Sequence, residues 1–353
     1  MSIEELARRE QKLLKRSKRK RTGRAVDRIF GFLLATAVLV TVAALGVGYV
    51  FVKGPSPTLA QVFSLTFTET RRFDFIARIF LSEDELGALL DANSQKADSA
   101  FYDPRELELP ATEVVISETV DDSNPYGDVD EDGDGIILET VSGNGYVGYM
   151  IKVLDPKRVF LSRGIGQTLE DQCRANNALG GINGGPFADM NGGGDGRTPE
   201  GLTIVNHEVI NTGYHENCFC GLDESGMLVT GYYTLEALQE IGIVSGVTWG
   251  PILVKGGKPL DLTNIQSGLN PRTAIGQRGD GAILMLVIDG RQVHSFGATY
   301  ADVQRIMLQY GAVTAFNLDG GSSTTMWYNG SYVNSCSSAN GIARPIPDAF
   351  LFR

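Results

Sequence analysis

The stretch FNLDGGSSTTMWYNG, residues 316–330, holds residue types from which a carbohydrate or phosphate site could be built. The apolar run AVTAF overlaps its start and predicts a strand leading into Asn317, Leu318 and Asp319. A strand-end carboxylate, followed by glycine N–H groups and four hydroxyl side chains, can hold a sugar or phosphate oxygen in a cleft. An aspartate that only caps a polar turn explains these residues equally well when they are taken alone.

Other glycine-rich segments supply further candidates. GGINGGPFAD places Asn183 and Asp189 around a glycine hinge, although a structural turn after a helix would look the same. RTPEGLTI offers Glu200 beside a glycine. NPRTAIGQ puts Arg272 in a loop before a strand, and a guanidinium can hold phosphate through two parallel hydrogen bonds. A lone loop arginine is nevertheless more often solvated than functional.

The acidic segment DVDEDGDGIILE matches the spacing of a calcium loop, with carboxylates at the positions that surround a hard cation and Gly133 at the sharp turn. The flanks predict strands rather than two helices, and Gly135 stands where a β-branched residue is usual. An acidic hairpin turn is therefore the competing interpretation. The hypothesis is a structural calcium site, and its ligands would be Asp128, Asp130, Asp132, Asp134 and Glu139. No other cofactor is required.

Three further patterns do not support a site. GNGYVG fits G-x-G-x-x-G, but the following YMIKVL predicts a strand where a dinucleotide phosphate needs a helix. GGSSTT lacks the lysine of a P-loop. His215 with CFC makes H-x-x-C-x-C, which fits no standard zinc spacing. The four cysteines allow three disulfide pairings, and the sequence does not choose between them.

A membrane segment precedes all of these motifs. Residues 29–52 form an uncharged, mostly apolar run that as a helix would reach roughly 36 Å, enough to cross a hydrocarbon core of about 30 Å. Many Lys and Arg precede the run and only Lys53 follows closely, which predicts a cytoplasmic N-terminus and residues 54–353 outside. A buried helix and a cleaved signal peptide are the alternatives. The length of the run and the lack of an A-x-A-like site favour an uncleaved signal-anchor.

The charge is divided along the chain. Residues 1–53 carry 12 Lys and Arg against 4 Asp and Glu, whereas the remaining 300 residues carry 19 against 38. The acidic part is therefore a poor candidate for nucleic-acid binding, which requires cations against phosphates.

The sequence predicts four segments. Residues 1–28 are a basic cytoplasmic tail, 29–52 the transmembrane helix, 53–112 a juxtamembrane helical spacer and linker, and 113–353 the functional domain. In the spacer, Ser82 and Glu85 form a capping-box pattern at the start of a helix. The linker is assigned to residues 93–112, which are polar and contain Pro104 and Pro110.

The domain has the pattern of short strands and glycine turns. TEVVISE, GIILETV, YVGYMIKVL and RVFLSRG predict strands, whereas helices are predicted after Thr168, Thr234 and Thr299 and end at Gly180, Gly242 and Gly311. The last helix lies between AILMLVID and VTAFNLD, a βαβ-like arrangement in which the two strands would run parallel and end in Asp289 and Asp319. We expect an α+β fold: a strand-rich mixed-sheet domain with a few helices.

Seven segments occur in an order that resembles the phosphodiester glycosidase family, the catalytic domain type of the lysosomal uncovering enzyme (N-acetylglucosamine-1-phosphodiester alpha-N-acetylglucosaminidase). The resemblance covers roughly residues 145–353. One departure is that many members have three glycines after the strand-end aspartate, whereas here Ser322 follows two. The segments are INGGPF, PEGLTIVNHEVI, TWGPILVKGGKPL, NPRTAIGQ, VIDGRQVHSFGAT, FNLDGGSSTTMWYNG and ARPIPDAFLF.

The resemblance implies cleavage of a sugar-1-phosphodiester on the glycosidic side. Carried over motif by motif, Asp319 is the expected nucleophile or base, Glu200 and Asp289 compete for the other carboxylate role, and Arg272 would stabilise the departing phosphate. Substrate binding would involve Asn183, Gly184, Gly185, Asn317, Gly320, Gly321, Ser322, Ser323 and Thr324.

These observations together predict a membrane-anchored, extracytoplasmic glycosidase acting on a GlcNAc-1-phosphodiester-like bond in envelope or exopolysaccharide glycans. The alternative is a non-catalytic glycan-binding or scaffold protein of the envelope. The expected partners are a carbohydrate or sugar-phosphate substrate and the membrane, without nucleic acid; the sequence does not determine the oligomeric state.

Overall fold

The computed structural model describes residues 3–69, 74–94, 126–189, 194–262, 265, 267–338 and 340–353. The predicted strand TEVVISE, at 112–118, and most of the predicted linker at 93–112 lie outside the described residues. The chain divides into two compact units, Met1–Ala60 and Gln61–Arg353. The helices are α1 (Ile3–Lys53), α2 (Pro57–Thr68), α3 (Asp74–Phe80), α4 (Glu83–Ser94), α5 (Leu169–Ala175), α6 (Leu235–Ile241) and α7 (Tyr300–Gln309).

Helix α1 contains an apolar segment, Arg28–Lys53, that is long enough to span a membrane. Its large apolar side chains are exposed, for example Phe32 at 71% and Leu39 at 70%. A helix that is apolar all round suits the hydrocarbon of a bilayer, where its backbone groups are satisfied internally. A signal sequence close to an N-terminus meets the same criterion of length and composition.

In the second unit, the predicted start of α4 is confirmed. The Ser82 N–H and hydroxyl donate to the Glu85 carboxylate, and the Glu85 N–H donates back to the Ser82 hydroxyl. This reciprocal capping satisfies donors at the start of the helix that would otherwise have no partner.

The strands of this unit are mostly short. In chain order they are β1 (Ile136–Gly143), β2 (Tyr146–Val153), β3 (Val159–Gln167), β4 (Gly180–Asn183), β5 (Leu202–Val205), β6 (Glu208–Thr212), β7 (Asn217–Asp223), β8 (Leu228–Tyr233), β9 (Ile243–Thr248), β10 (Ile252–Lys255), β11 (Lys258–Pro259), β12 (Arg272–Arg278), β13 (Ile283–Ile288), β14 (Ala312–Asn317), β15 (Met326–Tyr328), β16 (Ser331–Tyr332) and β17 (Ile346–Phe352).

The strands of the described residues form three sheets. One has seven strands in the order β1-β2-β13-β12-β14-β10-β11, and two have five, in the orders β16-β15-β4-β17-β3 and β6-β5-β9-β7-β8. The α+β class predicted from the sequence is confirmed. Strands that are far apart in sequence lie side by side, as β4 does with both β15 and β17. Residues from separate motifs are therefore brought together in the folded chain.

Strands β13 and β14 do not pair directly, because β12 lies between them and is antiparallel to both. They consequently run parallel to each other, as the βαβ-like pattern predicts, but are one strand farther apart than in a directly paired unit. Their carboxyl ends emerge at the same edge of the sheet, where Asp289 and Asp319 follow.

Strand β13 explains where the core lies, because all six of its residues are buried. Ile283, Met285 and Val287 belong to a cluster that also contains residues of the two smaller sheets. The alternate residues Leu284, Leu286 and Ile288 pack in a second cluster with α7. A strand covered on both faces reads as a continuous apolar run, which is the pattern of ILMLVI.

The three predicted domain helices are present, and Thr168, Thr234 and Thr299 are their N-caps. Helix α7 buries Val303, Ile306 and Met307, which a helical period of 3.6 residues places on one face. The predicted end of α5 is wrong. The helix stops at Ala175, where Asn176 caps it and Asn177 adopts a positive φ of 51°, so that Gly180 begins β4 instead of ending the helix.

Candidate active site

Asp319 lies at the end of β14, where two separate motifs meet. Its N–H donates to the carbonyl of Gly184 at 3.1 Å, and the Asn183 side-chain amide donates to the Asp319 carbonyl at 2.7 Å. The Asn183 Oδ1 accepts from the Thr273 hydroxyl at 2.7 Å. Asn183 is thus buried and fully engaged, and it positions the Asp319 main chain.

The Asp319 carboxyl sits in a desolvated environment that raises its pKa to about 6. The neighbouring Asp189 acts in the same direction, while the Ser323 hydroxyl, the Arg344 charge and the Gly320 N–H oppose it. The Gly320 N–H lies 3.0 Å from Oδ1. A carboxyl group with a pKa near the working pH is suited to act as base or nucleophile.

The loop after Asp319 packs tightly against the segment before β12. A Cβ on Gly320 would lie 2.8 Å from the carbonyl oxygen of Pro271, so only glycine fits there without displacement. Gly321 donates its N–H to the same carbonyl at 2.9 Å and begins a short 3-10 helix, Gly321–Ser323. The loop therefore holds a defined shape beside the carboxylate.

Two buried polar atoms near this loop have no hydrogen-bond partner among the described residues. They are the Oδ1 of Asn317 and the hydroxyl of Thr324. The amide nitrogen of Asn317 is by contrast engaged, because it donates to the Gly250 and Leu318 carbonyls. Since buried polar groups are normally paired, unpaired ones beside a candidate site are consistent with a ligand or water partner.

Arg344 closes one side of the site. Its guanidinium donates to the Asp189 carboxylate at 2.6 Å and to the Ser322 hydroxyl at 3.0 Å, and it lies over the Phe187 ring. The pair ties the Asp319 loop to the segment that follows Gly184 and Gly185. It is largely buried, with 13% and 22% of the two charged side chains exposed.

Asp348, on β17, forms the wall behind Asp319. Its Oδ1 accepts the Gly185 N–H at 2.6 Å, and a Cβ on Gly184 would lie 2.2 Å from the same oxygen. Burial raises the pKa of Asp348 to about 7, and the Asp319 charge adds to this, while the Gly185 N–H opposes it. Its Oδ2 has no partner among the described residues. The buried Asp348 carboxyl group and the desolvated Asp319 carboxyl group therefore influence each other here.

Two arginines lie on the other side of the loop. Arg272 is buried, donates to the Ala298 and Gly268 carbonyls, and stacks on the Tyr300 ring. Arg291 donates twice to the Asn270 Oδ1, at 3.2 and 2.8 Å. A Cβ on Gly321 would lie 3.4 Å from both terminal nitrogens of Arg291, which places this guanidinium beside the loop.

Asp289 is held in a different way from Asp319. Its Oδ1 accepts from the Asn334 amide at 3.2 Å and the Ser335 N–H at 3.0 Å, and its Oδ2 lies 3.1 Å from His294 Nε2. The carboxylate is fully buried, whereas 47% of the His294 side chain is exposed. Asn334 also donates to the Thr324 carbonyl, so Asp289 is linked to the loop only indirectly.

Glu200 is exposed and lines a cavity of about 400 Å³. The same cavity is lined by Asp189, the partner of Arg344, and by the aromatic Tyr214. Glu200 therefore faces a space that borders the Arg344–Asp189 pair. Its role as second carboxylate stays a prediction.

The acidic loop is divided between two environments. Lys152 donates to Asp128 at 2.6 Å and to Glu139 at 2.5 Å, and Arg278 also pairs with Asp128. Asp130, Asp132 and Asp134 have carboxylate oxygens within 4.8 Å of one another. The first and last predicted ligands thus contact basic side chains, and a calcium site formed by these residues stays a prediction.

All four cysteines, which lie within the described residues, are unpaired.

Sequence reasoning did not select Arg291, Arg344 or Asp348 as site residues. All three occur in segments that carry the family resemblance, VIDGRQVHSFGAT and ARPIPDAFLF. The signal was therefore present, but a basic or acidic residue in a loop or apolar strand does not reveal what lies opposite to it. Only the pairing of β17 with β4 brings Asp348 to Gly184 and Gly185.

The fold and the site define a strand-rich α+β protein with a desolvated aspartate at a strand end and arginines around the glycine- and serine-rich loop that follows it. The sequence model of the phosphodiester glycosidase family matches residues 176–353. The chain belongs to this family. The matched region contains Asp319, Glu200, Asp289 and Arg272, and also Arg291, Arg344 and Asp348.

Several proteins are similar in sequence. The SPbeta prophage-derived uncharacterized protein YomE of Bacillus subtilis is 36% identical over 132 residues, which is 36% of this chain and 20% of that protein. The human N-acetylglucosamine-1-phosphodiester alpha-N-acetylglucosaminidase is 28% identical over 211 residues, which is 52% of this chain and 40% of that protein. The chain thus spans well under two thirds of these curated relatives.

Solved structures support the fold. The zebrafish N-acetylglucosamine-1-phosphodiester alpha-N-acetylglucosaminidase catalytic domain, auto-inhibited by pro-peptide, superimposes with a TM-score of 0.52 at 21% identity, covering 62% of this chain and 82% of that chain. A hypothetical protein from Synechocystis has a TM-score of 0.50 at 17% identity and covers 62% of each chain. These likenesses concern the fold alone.

Proposed function

We propose that this protein is a glycosidase that hydrolyses a sugar-1-phosphodiester of the GlcNAc-1-phosphodiester type. The observation that carries the proposal is the position of Asp319: a desolvated carboxyl group with a pKa of about 6, next to a tight loop and an arginine. Family membership supports a glycosidase-type activity, and the activity for which the human relative is named supports the bond type.

The phosphate would bind beside the loop that follows Asp319, where arginines approach from two directions. Arg291 lies beside Gly321, and Arg344 reaches the Ser322 hydroxyl from the other direction. A phosphodiester carries one negative charge, and the phosphomonoester that leaves acquires a second as the C1–O bond breaks. Fixed guanidinium groups stabilise this developing charge without reorganisation, which is the usual origin of large electrostatic effects in catalysis.

The carboxylates would act on the sugar side. At pH 7 most Asp319 is ionised, so it can either attack the anomeric carbon or take a proton from the attacking water. The water supplies oxygen to the anomeric carbon, and the bridging oxygen departs with the phosphate. We assign the second carboxylate role to Glu200 in preference to Asp289, since Glu200 lines the open cavity while Asp289 is buried among donors.

We further propose that the domain acts on envelope or exopolysaccharide glycans outside the cytoplasm. The apolar segment of α1 and the basic residues before it support a membrane anchor with this orientation. The domain is acidic, so an anionic glycan would be attracted only by the local arginines and not by the overall charge.

The test is sugar release by the full chain in detergent micelles, with a GlcNAc-1-phosphodiester of a simple alcohol as substrate and free GlcNAc as the measured product. We expect the wild type to release GlcNAc and Asp319→Asn to lose at least a thousandfold in rate while keeping its thermal midpoint. Asp155→Asn is the matched control, because asparagine also caps the short helix that follows Asp155.

Equal release by the wild type and Asp319→Asn would remove Asp319 from the reaction. Retention of the phosphodiester on the protein with no free sugar would instead favour the glycan-binding alternative. A test with Glu200→Gln and Asp289→Asn then separates the candidates for the second carboxylate, since only the former should lower kcat strongly.

A further inference from the structure

A residue far outside the family match contacts Arg272, on the side of the loop where Arg272 and Arg291 lie. Glu69 follows α2 and belongs to the same compact unit as the catalytic domain. Its Oε2 accepts from the Arg272 guanidinium at 3.0 Å and from the Asn270 amide at 2.7 Å, and its Oε1 accepts the Gly268 N–H at 2.9 Å. One carboxylate thus binds three groups on the segment that leads into β12.

Through Asn270, Glu69 is connected to Arg291. The Asn270 amide nitrogen donates to Glu69, and its Oδ1 accepts both hydrogen bonds from Arg291. Because an amide has one acceptor end and one donor end, the Glu69 contact sets which end of Asn270 faces Arg291. The orientation of Arg291 therefore depends on a residue that it does not contact.

The charges make the same point. Arg272 is buried, whereas the neighbouring Arg291 is exposed. Desolvation of its guanidinium together with the Arg272 charge lowers the pKa of Arg291 to about 10, while Glu69 opposes this. Arg344 has its own counter-ion in Asp189. With Glu69 present, the Arg272–Arg291 pair keeps one net positive charge, which matches the single charge of a phosphodiester. Without Glu69, the buried Arg272 guanidinium would lose its carboxylate partner while the Arg291 charge stays beside it.

We propose that Glu69 is a positioning residue of the active site, which holds Arg272 directly and Arg291 through Asn270 so that the arginine pair can bind the substrate phosphate. The inference rests on the proposed function for the identity of the anion. It assigns a role in the site to the segment between the apolar helix and the family domain, which the sequence suggested to be a spacer.

The experiment compares Glu69→Gln with the wild type, both as full chains in detergent. Two quantities are measured: kcat and KM for release of GlcNAc from the phosphodiester, and the Kd for inorganic phosphate by calorimetry. Glutamine puts an NH₂ group opposite donors that need an acceptor, so Asn270 and Arg291 lose their orientation. We expect kcat to fall at least tenfold, KM to change less than threefold, and the Kd for phosphate to rise about tenfold.

The fall is expected in kcat because the leaving phosphate gains its second charge only as the bond breaks. Glu83→Gln is the matched control, since Glu83 is an acidic residue of the same region that pairs with Arg78 instead. Thr66→Val tests the loss of an uncharged contact between the same two segments, because Thr66 accepts the Leu269 N–H without contributing charge. Both controls should keep kcat and the phosphate Kd within twofold.

A higher kcat or tighter phosphate binding in Glu69→Gln would overturn the proposal, because Glu69 would then compete with the substrate. An equal loss in Thr66→Val would overturn it as well. If Glu69→Gln does not fold, Asn270→Ser breaks the link to Arg291 while keeping the Glu69–Arg272 pair, and the same rise in phosphate Kd is expected.

The two proposals fail in different ways. A wild type that binds phosphate and releases no sugar contradicts the proposed function, and the phosphate Kd of Glu69→Gln still decides the role of Glu69. A wild type that does not bind phosphate at millimolar concentration contradicts the role of Glu69 itself.

Discussion

Two strand ends that look alike in sequence differ in what surrounds their aspartates. VIDG includes the end of β13 and NLDG the end of β14, and each places an aspartate before a glycine at the same edge of the sheet. Asp289 is surrounded by donors from Asn334, Ser335 and His294. Asp319 has a desolvated carboxyl with a raised pKa and carboxyl neighbours in Asp189 and Asp348.

The difference shows how its surroundings make the same residue type a structural anchor or a candidate reactive group. Donors directed at a carboxylate stabilise its charge and occupy its lone pairs with structural hydrogen bonds. Removal from water together with nearby carboxyl groups does the opposite, and keeps the group ready to exchange a proton or attack. The neighbours contributed by other strands therefore decide the role, and the strand-end position does not.

The largest expected effect tests Asp348, the buried carboxyl group beside Asp319. Asp348 has its pKa raised from 3.8 to about 7, so the folded protein keeps a proton that the unfolded chain loses. The stability from this group is full below pH 4 and is lost as the pH rises through 7, on the order of 4 kcal/mol. We expect Asp348→Asn to flatten the fall in the free energy of unfolding between pH 4 and 7.5, measured by urea titration.

Asp319 acts in the same direction through its own raised pKa, so some fall should persist in Asp348→Asn. Asp155→Asn provides the baseline for an aspartate outside the site. If the free energy of unfolding changes with pH in the same way in Asp348→Asn and the wild type, the Asp348 carboxyl group does not hold a proton in the folded protein.

The next effect concerns the anchor. In Asp289→Asn, the new amide can present its NH₂ group to the Asn334 and Ser335 donors, which leaves them without an acceptor. It can instead present its oxygen, which is an uncharged and weaker acceptor. We expect a loss of about 2–4 kcal/mol in stability, because a buried charged acceptor is removed. The rate of sugar release per folded molecule should stay within about tenfold of the wild type. A thousandfold loss of rate in a stable Asp289→Asn protein would abolish the contrast between the two aspartates.

A smaller effect is expected from Gly184→Ala, which probes the space between β4 and β17. The added Cβ would lie 2.2 Å from the Asp348 Oδ1, so the wall must shift. We expect a destabilisation of about 1–3 kcal/mol, together with an altered pH profile of kcat. Gly87→Ala in α4 is the matched control; its Cβ meets nothing within 4 Å, and a gain of about 0.5–1 kcal/mol is expected.

The smallest effect should come from His294→Gln. The His294 side chain is half-exposed, and glutamine can still donate to the Asp289 Oδ2. Stability should change by less than about 1 kcal/mol, and sugar release should be within twofold of the wild type. A loss of more than tenfold in kcat would place the Asp289–His294 pair in the reaction and would contradict its role as an anchor.

Much of the fold follows from local patterns. The threonine caps before α5, α6 and α7, the apolar face of α7 and the strands around GIILETV and YVGYMIKVL are predicted because each depends on residues a few positions apart. The end of α5 was mistaken because Asn177 adopts the left-handed conformation several residues before the glycine that seemed to be the stop. Strand order could not be predicted, since it depends on which apolar faces cover each other.

The site divides in the same way. Asp319, its glycine loop and the Asn183 segment stand out in sequence because their residue types are unusual next to apolar strands. Arg291, Arg344 and Glu69 do not, because a charged residue in a loop or spacer looks the same whether it is solvated or pointed at an active site. Asp348 was missed for a related reason: it occurs within an apolar strand, where its partner on β4 is invisible.

The sequence by itself determined the local elements, the apolar helix, the acidic character of the domain and the family motifs, because all of these are encoded by neighbours along the chain. Only the tertiary structure decided which aspartate is an anchor and which is desolvated, and which counter-ion each arginine receives. The physical reason is that desolvation and charge pairing depend on distances in space. The segments that meet around the site lie far apart along the chain, and Glu69 is 250 residues from Asp319.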